Sequence, residues 1–430
     1  MRVENLTKRF GDKVLLSDIN FQFMGKKRYG VVGVNGAGKS TFLNIICGIE
    51  DSDQGTVVKP KNIVIGFLPQ QPSPNPKSTI IEECLNGDTT FYSLREKLKL
   101  TEALLNEQNS PDILDTYTEL EMHFRNIGGY KKESKATQIL SGLGFHSSEL
   151  SKNPRDLSGG WRMRLELAKL FLLNPNFYIL DEQTNHLDLP SMLFVEEFLK
   201  NTNATTIFVS HDIGLLDRMA TNIIHLNYGM ITAYEGNYTN FIAKEKIRLD
   251  QKIKEKIALE QKISDLQKFV DRFGSKATKA SQAQSKLKQI EKLKSELNMI
   301  IIPQKNDGIH VKLPKISRSH RDVFEAKHVA VGYEDVIIDK ISFKIERGDK
   351  IALVGANGSG KSTFLKTIVK KIPTKSGQFI IGQGVKIAYF AQDQAERMPQ
   401  TLSVMEHFMN NSTLSESESR RVLGLSLIHI

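Results

Sequence analysis

Apolar positions along this chain follow two rhythms. Short unbroken runs at Tyr29 to Val32, Phe177 to Leu180, Thr205 to Val209 and Ile223 to Leu226 predict buried strands of a mainly parallel sheet. Ile351 to Val354 is a run of the same kind and is expected to be a buried strand too, as are Gly66 to Pro69 and Ala388 to Ala391. Residues from about Leu85 to Leu150 are charged, helix-favouring and broken at Asn109-Ser110-Pro111 and Gly128-Gly129, which predicts a helical insertion in the α/β core. From about Phe241 to Met299 the rhythm becomes helical. Leu249, Ile253, Ile257, Ile263, Leu266, Val270 and Phe273 recur mostly at three- and four-residue steps, and Ala280, Leu287, Ile290, Leu293 and Leu297 do much the same. Gly274-Ser275 between them predicts the bend of an antiparallel helical pair. Residues 300–322, with Pro303, Gly308 and Pro314, read as an extended connector.

One loop occurs twice. Gly33-Val34-Asn35-Gly36-Ala37-Gly38-Lys39-Ser40-Thr41 returns as Gly355-Ala356-Asn357-Gly358-Ser359-Gly360-Lys361-Ser362-Thr363, and each fits G-x-x-x-x-G-K-[ST] after an apolar run. Glycines let backbone N–H groups turn inward around phosphate oxygens. The lysine reaches the β- and γ-phosphates, and Ser40 or Ser362 offers its hydroxyl to Mg²⁺. Superposing Lys39 on Lys361 sets an offset of 322 that also aligns Phe21 with Phe343, Ile19 with Ile341, Leu16 with Ile338 and Gln70 with Gln392. A one-residue slip upstream places Phe10 beside Tyr333. The repeat is therefore the size of a domain.

Further chemistry appears once. Leu157-Ser158-Gly159-Gly160-Trp161-Arg162-Met163-Arg164 opens an apolar-periodic helix with Ser158 as its expected cap, and its amides suit a phosphate approached from outside. The run ending Leu180-Asp181-Glu182 puts two carboxylates at a strand end. Asp181 suits ordering Mg²⁺, and Glu182 suits polarising an attacking water. The strand ending Val209-Ser210 delivers His211, which can contact the γ-phosphate and that water.

Charge sharpens the picture. The 430-residue chain carries a formal charge of +10, and residues 244–295 hold fifteen Lys and Arg against seven Asp and Glu. No acid lies between Arg272 and Ile290, where Lys276, Lys279, Lys286 and Lys288 are interleaved with Gln282, Gln284 and small residues. Such a surface suits an RNA backbone read by shape and charge. No apolar run approaches the roughly 18 residues of a membrane helix, and the start at Met1 shows no signal peptide. Cys47 and Cys84 lack metal-ligand spacing and read as reduced core residues of a cytoplasmic protein.

Loop, glutamine, signature, carboxylate pair and histidine in this order resemble an ATP-binding cassette. The wording LSGGWRMR, LDEQTNHLD and VSHD, with the basic stretch from Arg272 to Lys286, resembles the ABC-F family of soluble tandem cassettes. The resemblance implies an α/β fold of two P-loop cassettes joined by a helical-hairpin linker. Residues 1–240 would be the first cassette with its insertion at about 85–150, residues 241–322 the hairpin and connector, and residues 323–430 the N-terminal part of a second cassette. It implies that Phe10 and Tyr333 stack on adenine and that Gln70 and Gln392 join Ser40, Asp181 and Ser362 around Mg²⁺. It implies that ATP is sandwiched between the loop of one cassette and the signature of the other, and that the hairpin faces transfer RNA and rRNA on the ribosome.

Three departures stand out. Gln183 follows Glu182 where the family usually has proline. After Gln392 no second signature, carboxylate pair or histidine follows. Leu425 to Ile430 reads as translated sequencing-adaptor sequence, so the natural chain is expected to run on by roughly another hundred residues to complete a domain. Neither composite site is complete within this sequence, which predicts residual nucleotide binding with poor or absent hydrolysis. The expected function is that of an ATP-hydrolysing translation factor or ribosome-protection protein. An ATPase acting on branched DNA and the ATPase subunit of a membrane transporter are the alternatives.

Overall fold

The computed structural model describes residues 1–68, 78–107, 110–182, 187–273, 280–300, 319–391, 399, 401–412 and 414–425. The chain divides into two compact units, Met1–Ile302 and Pro303–Ile430. Among the described residues no helix is long and apolar enough to cross a membrane.

The first unit runs β1 (Arg2–Phe10), β2 (Lys13–Gln22), β3 (Arg28–Val32), α1 (Lys39–Cys47), β4 (Gln54–Val58) and β5 (Ile65–Phe67). A helical block follows: α2 (Ile80–Leu85), α3 (Thr89–Glu107), α4 (Pro111–Asn126), α5 (Gly129–Gly142) and α6 (Gly159–Leu173). The chain then returns through β6 (Phe177–Asp181), α7 (Leu189–Asn201), β7 (Thr205–Val209), α8 (Ile213–Met219), β8 (Asn222–Asn227) and β9 (Met230–Glu235). The helical insertion and the three strands expected from Phe177 onward are all present. Strand order in the main sheet is β5-β6-β7-β3-β8-β9, parallel except for the antiparallel edge β9. Its inner strands are covered on both faces, which is why they read as unbroken apolar runs. On one face Tyr29, Val31, Phe177, Ile179 and Ile207 pack with Phe42 and Ile46 of α1 and with Leu6 and Leu16. On the other, Tyr178, Leu180 and Phe208 meet the helices through Leu165, Phe171 and Leu199. Burial pushes the Cys47 and Cys84 thiols up to about 12, so both sit as inert, protonated packing groups.

A smaller antiparallel sheet, β2-β1-β4, lies beside this core. Asn5 sits at a positive φ of 49° within a break in the β1–β2 register. Gly55 of β4 passes so close that a Cβ there would lie 2.4 Å from the Asn5 carbonyl. Only glycine permits that approach.

α9 (Tyr238–Phe273) and α10 (Ala280–Met299) form the hairpin. The turn, with Gly274-Ser275, Lys276 and Lys279, falls outside the described residues. Ile290 and Leu293 are buried, and Ile263, Leu266 and Val270 are half-buried in α9. α9 has 36 residues and α10 has 20, so α10 can match little more than half of its partner's length. Ile253 and Ile257, which the period assigns to the seam, are 40% and 59% exposed. The apolar rhythm therefore outruns the pairing.

The second unit contains β10 (Asp322–Gly332), β11 (Val336–Glu346), α11 (Lys361–Ile368), β12 (Ser376–Ile381), α12 (Val404–Asn410) and α13 (Glu416–Leu425). Its sheet, β11-β10-β12, repeats the order β2-β1-β4. Ile19 pairs with Leu6 and Ile341 with Val329, so the aligned residues occupy equivalent places and β10 is offset by one more residue than β11. His328 repeats the positive φ of Asn5. Two expectations fail here. Ile351 to Val354 forms no strand, with Ile351, Leu353 and Val354 exposed, and Ala388 to Ala391 forms none, with Phe390 88% exposed. In the first unit β3 is held between β7 and β8, and β5 against β6. Among the described residues of the second unit nothing pairs with either segment. An apolar run supplies propensity, but the ladder needs a neighbour.

Candidate nucleotide site

The first loop joins β3 to α1. Gly38 caps α1 at φ 96°, a left-handed conformation that costs glycine nothing. Gly33 lies so close to β8 that a Cβ would sit 2.4 Å from the Leu226 carbonyl oxygen. Asn35 and Gly36 at the loop crest are exposed and Thr41 is half-buried in the first turn of α1. Lys39 is buried and its Nζ donates to the carbonyls of Gly33 at 2.9 Å and Val34 at 3.2 Å. The second loop matches it. Gly358 and Gly360 have φ of 84° and 89°, and Lys361 Nζ donates to Gly355 and Ala356 at 2.7 and 2.6 Å. Asn357 and Ser362 are exposed there, while Thr363 is buried in α11.

Parallel pairing of β6 with β7 brings Asp181 opposite Val209 and sets their following residues side by side. Glu182 N–H donates to the Val209 carbonyl at 3.1 Å, and His211 Nε2 lies 2.9 Å from Glu182 Oε1. Glu182 has φ 55°. A residue before proline is pushed towards extended backbone, so glutamine at 183 permits a turn that proline would oppose. Gln183 itself, Gln70 and Gln392 lie outside the described residues.

Burial raises the pKa of Asp181, with the Ser40 hydroxyl bonded to its carboxylate acting the other way. Among the described residues Asp181 Oδ1 is buried with no hydrogen-bond partner. An unsatisfied buried carboxylate oxygen beside a serine hydroxyl fits a hard, oxygen-seeking cation such as Mg²⁺. Ser40 and Asp181 would hold it, and the ion would supply charge neutralisation at the phosphates.

Ser158 stands at the N-cap of α6 as expected, with φ −66° and ψ 164°, but its side chain makes no capping bond. Ser158 and Gly159 are exposed and Gly160 is half-buried. Phe10 ends β1 with Lys8 Nζ 5.5 Å from its ring centroid, and Tyr333 directly follows the last residue of β10; the two are 54% and 55% exposed. On the hairpin Arg272, Gln284 and Lys288 are exposed, whereas Lys286 is half-buried in a groove with Gln261, Lys262 and Asp265. Gln282 belongs to α10, but its side chain is outside the described set.

Two features escaped the sequence reading. Arg164 is 1% exposed, stacks 4.6 Å from the Trp161 ring, donates to the Leu143 carbonyl and Ser191 Oγ, and faces Asp188 at 3.5 Å. Its place two turns into an apolar-periodic helix was the available signal. A cavity of about 450 Å³ lies between Gly33, Val34, Lys39, Ser210 and His211 and the first turns of α9 at Tyr238 and Phe241. Nothing in the sequence pattern indicates it.

Known proteins match this arrangement. A family model described as ABC transporter covers residues 16–185 and 338–423, and a second with the same description covers 224–308. YdiF of Bacillus subtilis, named as an ATP-binding protein, is 33% identical over 429 residues, spanning 99% of this chain and 66% of its own. YheS of Escherichia coli K12, also named for ATP binding, is 32% identical over 93% of this chain and 61% of its own. ABC transporter F family member 5 of Arabidopsis thaliana is 31% identical over 94% of this chain and 60% of its own. The chain thus spans less than two thirds of the length of these relatives, by a narrow margin for the first.

Proposed function

Because this chain belongs to the ABC transporter family of ATP-binding cassettes, and within it to the ABC-F proteins, we infer that it is an ATP-hydrolysing, ribosome-associated factor of the cytoplasm. ATP with Mg²⁺ binds at Lys39 and Lys361. Glu182 polarises the attacking water, and His211 orients both the water and the γ-phosphate. In the complete tandem protein, closure of the cassettes on ATP turns the hairpin towards rRNA and transfer RNA, and hydrolysis releases it.

One observation carries this reading: α9 is continuous from the cassette at Tyr238 to the basic end at Arg272. At 1.5 Å per residue, such a helix spans roughly 50 Å, long enough to present cations well away from the nucleotide. Backbone charge neutralisation gives such a surface its affinity for folded RNA.

Sedimentation with ribosomes tests the reading in the full-length tandem protein. Glu182→Gln keeps the nucleotide bound but uncleaved and accumulates on ribosomes. Sedimentation indistinguishable from wild type under ATP contradicts it.

A further inference from the structure

The hairpin can report on the nucleotide only if its root is fixed to the cassette, and one buried carboxylate sits at that root. Glu245, two turns into α9, is 8% exposed. It accepts a hydrogen bond from the Tyr234 hydroxyl of β9. Arg248 Nε lies 3.2 Å from the same oxygen, an ion pair without hydrogen-bond alignment, and the other Arg248 arm donates to Thr232 Oγ1 at 3.1 Å. His225 Nδ1 of β8 is 3.7 Å from the second Glu245 oxygen. Burial lowers the pKa of His225, leaving Arg248 as the cation beside Glu245.

Aromatic rings seal this cluster. Phe241 stands 5.1 Å from both the His225 and the Tyr234 rings and 5.6 Å from Tyr238. Three of these rings, His225, Tyr238 and Phe241, wall the cavity whose other side is Gly33, Val34, Lys39, Ser210 and His211. His225 pairs in register with Val32, the residue before Gly33, and Gly33 has no slack against Leu226. Strand β8 therefore touches the phosphate loop on one side and the root of α9 on the other. A packed element of that kind transmits small shifts because it cannot absorb them.

We propose that Glu245 is a positioning residue, fixing the hairpin to β8 and β9 so that nucleotide at Lys39 sets the hairpin's behaviour. This rests on the function inferred above and adds the residue through which the first cassette governs its linker. Removing the carboxylate leaves the phosphate loop intact and uncouples it from α9.

Hydrogen exchange of this 430-residue chain, with and without a non-hydrolysable ATP analogue and Mg²⁺, tests the assignment. Wild type is expected to change exchange along Ile253 to Leu266 on binding nucleotide. Glu245→Ala and the milder Tyr234→Phe, which keeps its ring, should each shrink that change at least threefold while analogue affinity stays within twofold. A full nucleotide-dependent change in both variants overturns the role of Glu245 and leaves the inferred function standing. No change in wild type, with the analogue bound, overturns the role of Glu245; the inferred function, which works through two complete cassettes, is tested separately by ribosome sedimentation of the tandem protein.

Discussion

His211 Nε2 meets Glu182 Oε1 at 2.9 Å, joining the ends of two adjacent parallel strands. The histidine comes from the end of β7 and the acid from the end of β6, so the contact depends on sheet register. In the proposed function this contact would hold Glu182 as base and His211 as its orienting partner beside the attacking water. Glu182→Gln and His211→Ala should each lower the turnover of the tandem-cassette protein by about 10²- to 10⁴-fold. ATP affinity should stay within about threefold, because the loop amides and Lys39 would carry most of the phosphate binding and His211 would add one contact at the γ-phosphate. Phosphate release and nucleotide titration separate the two effects.

Asp181 and Ser40 give a prediction with opposite signs for stability and function. Burial raises the Asp181 carboxyl above its ordinary 3.8, so the folded state binds a proton more readily than the unfolded chain. Stability from this group therefore falls as pH rises through the folded value, and at neutral pH the ionised form is a burden. Without Mg²⁺ and ATP, Asp181→Asn should melt at a higher temperature than wild type at pH 7, with the difference vanishing below the unfolded value. The same variant should weaken Mg²⁺-dependent ATP binding by tenfold or more, about 1.4 kcal/mol. Thermal melts with and without Mg²⁺ and ATP read both signs; a lower melting temperature without ligand contradicts the account.

Arg164 has a structural role that its neighbours make measurable. Arg164→Ala leaves Asp188, 7% exposed in its side chain, without its buried cation, and deprives the Leu143 carbonyl of a donor. Breaking a buried pair from one side costs about 3–5 kcal/mol. Urea unfolding should show a loss of that size, and a loss under about 1 kcal/mol would contradict the assignment.

Residues that act locally were legible and residues that need a neighbour were not. The loops could be read because glycine at Gly38 and Gly360 is demanded by backbone geometry alone. Asp181, Glu182 and His211 could be read because each ends an apolar run. The one-residue slip between Phe10 and Tyr333 was visible too, and the offset of β10 against β1 is its structural counterpart. Ile351 to Val354 misled because local pattern cannot reveal whether flanking strands exist. Ile253 and Ile257 misled because periodicity does not say how far a partner helix extends. Glu245 was invisible, being one acid in a charged helix until Tyr234 and His225 are placed beside it.

On the hairpin, Arg272 and Lys288 are exposed cations, while Lys286 shares its groove with Asp265. Arg272→Glu and Lys288→Glu should each weaken RNA binding and lower the salt slope of log affinity by about one. Lys286→Glu should do less, since its side chain is half-buried where those of Arg272 and Lys288 are exposed. Filter binding of structured RNA across a salt series distinguishes them, and equal effects at all three positions would contradict the placement.

The central claim is that nucleotide on the cassette and RNA on the hairpin are energetically linked, and linkage is reciprocal. The most direct measurement is ribosome affinity of the tandem-cassette protein with and without a non-hydrolysable ATP analogue, set beside analogue affinity with and without ribosomes. The two ratios should agree, both above about fivefold, and both should fall to one in Lys39→Ala. Ribosome affinity that is the same with and without the analogue, while the analogue is bound, would contradict the account.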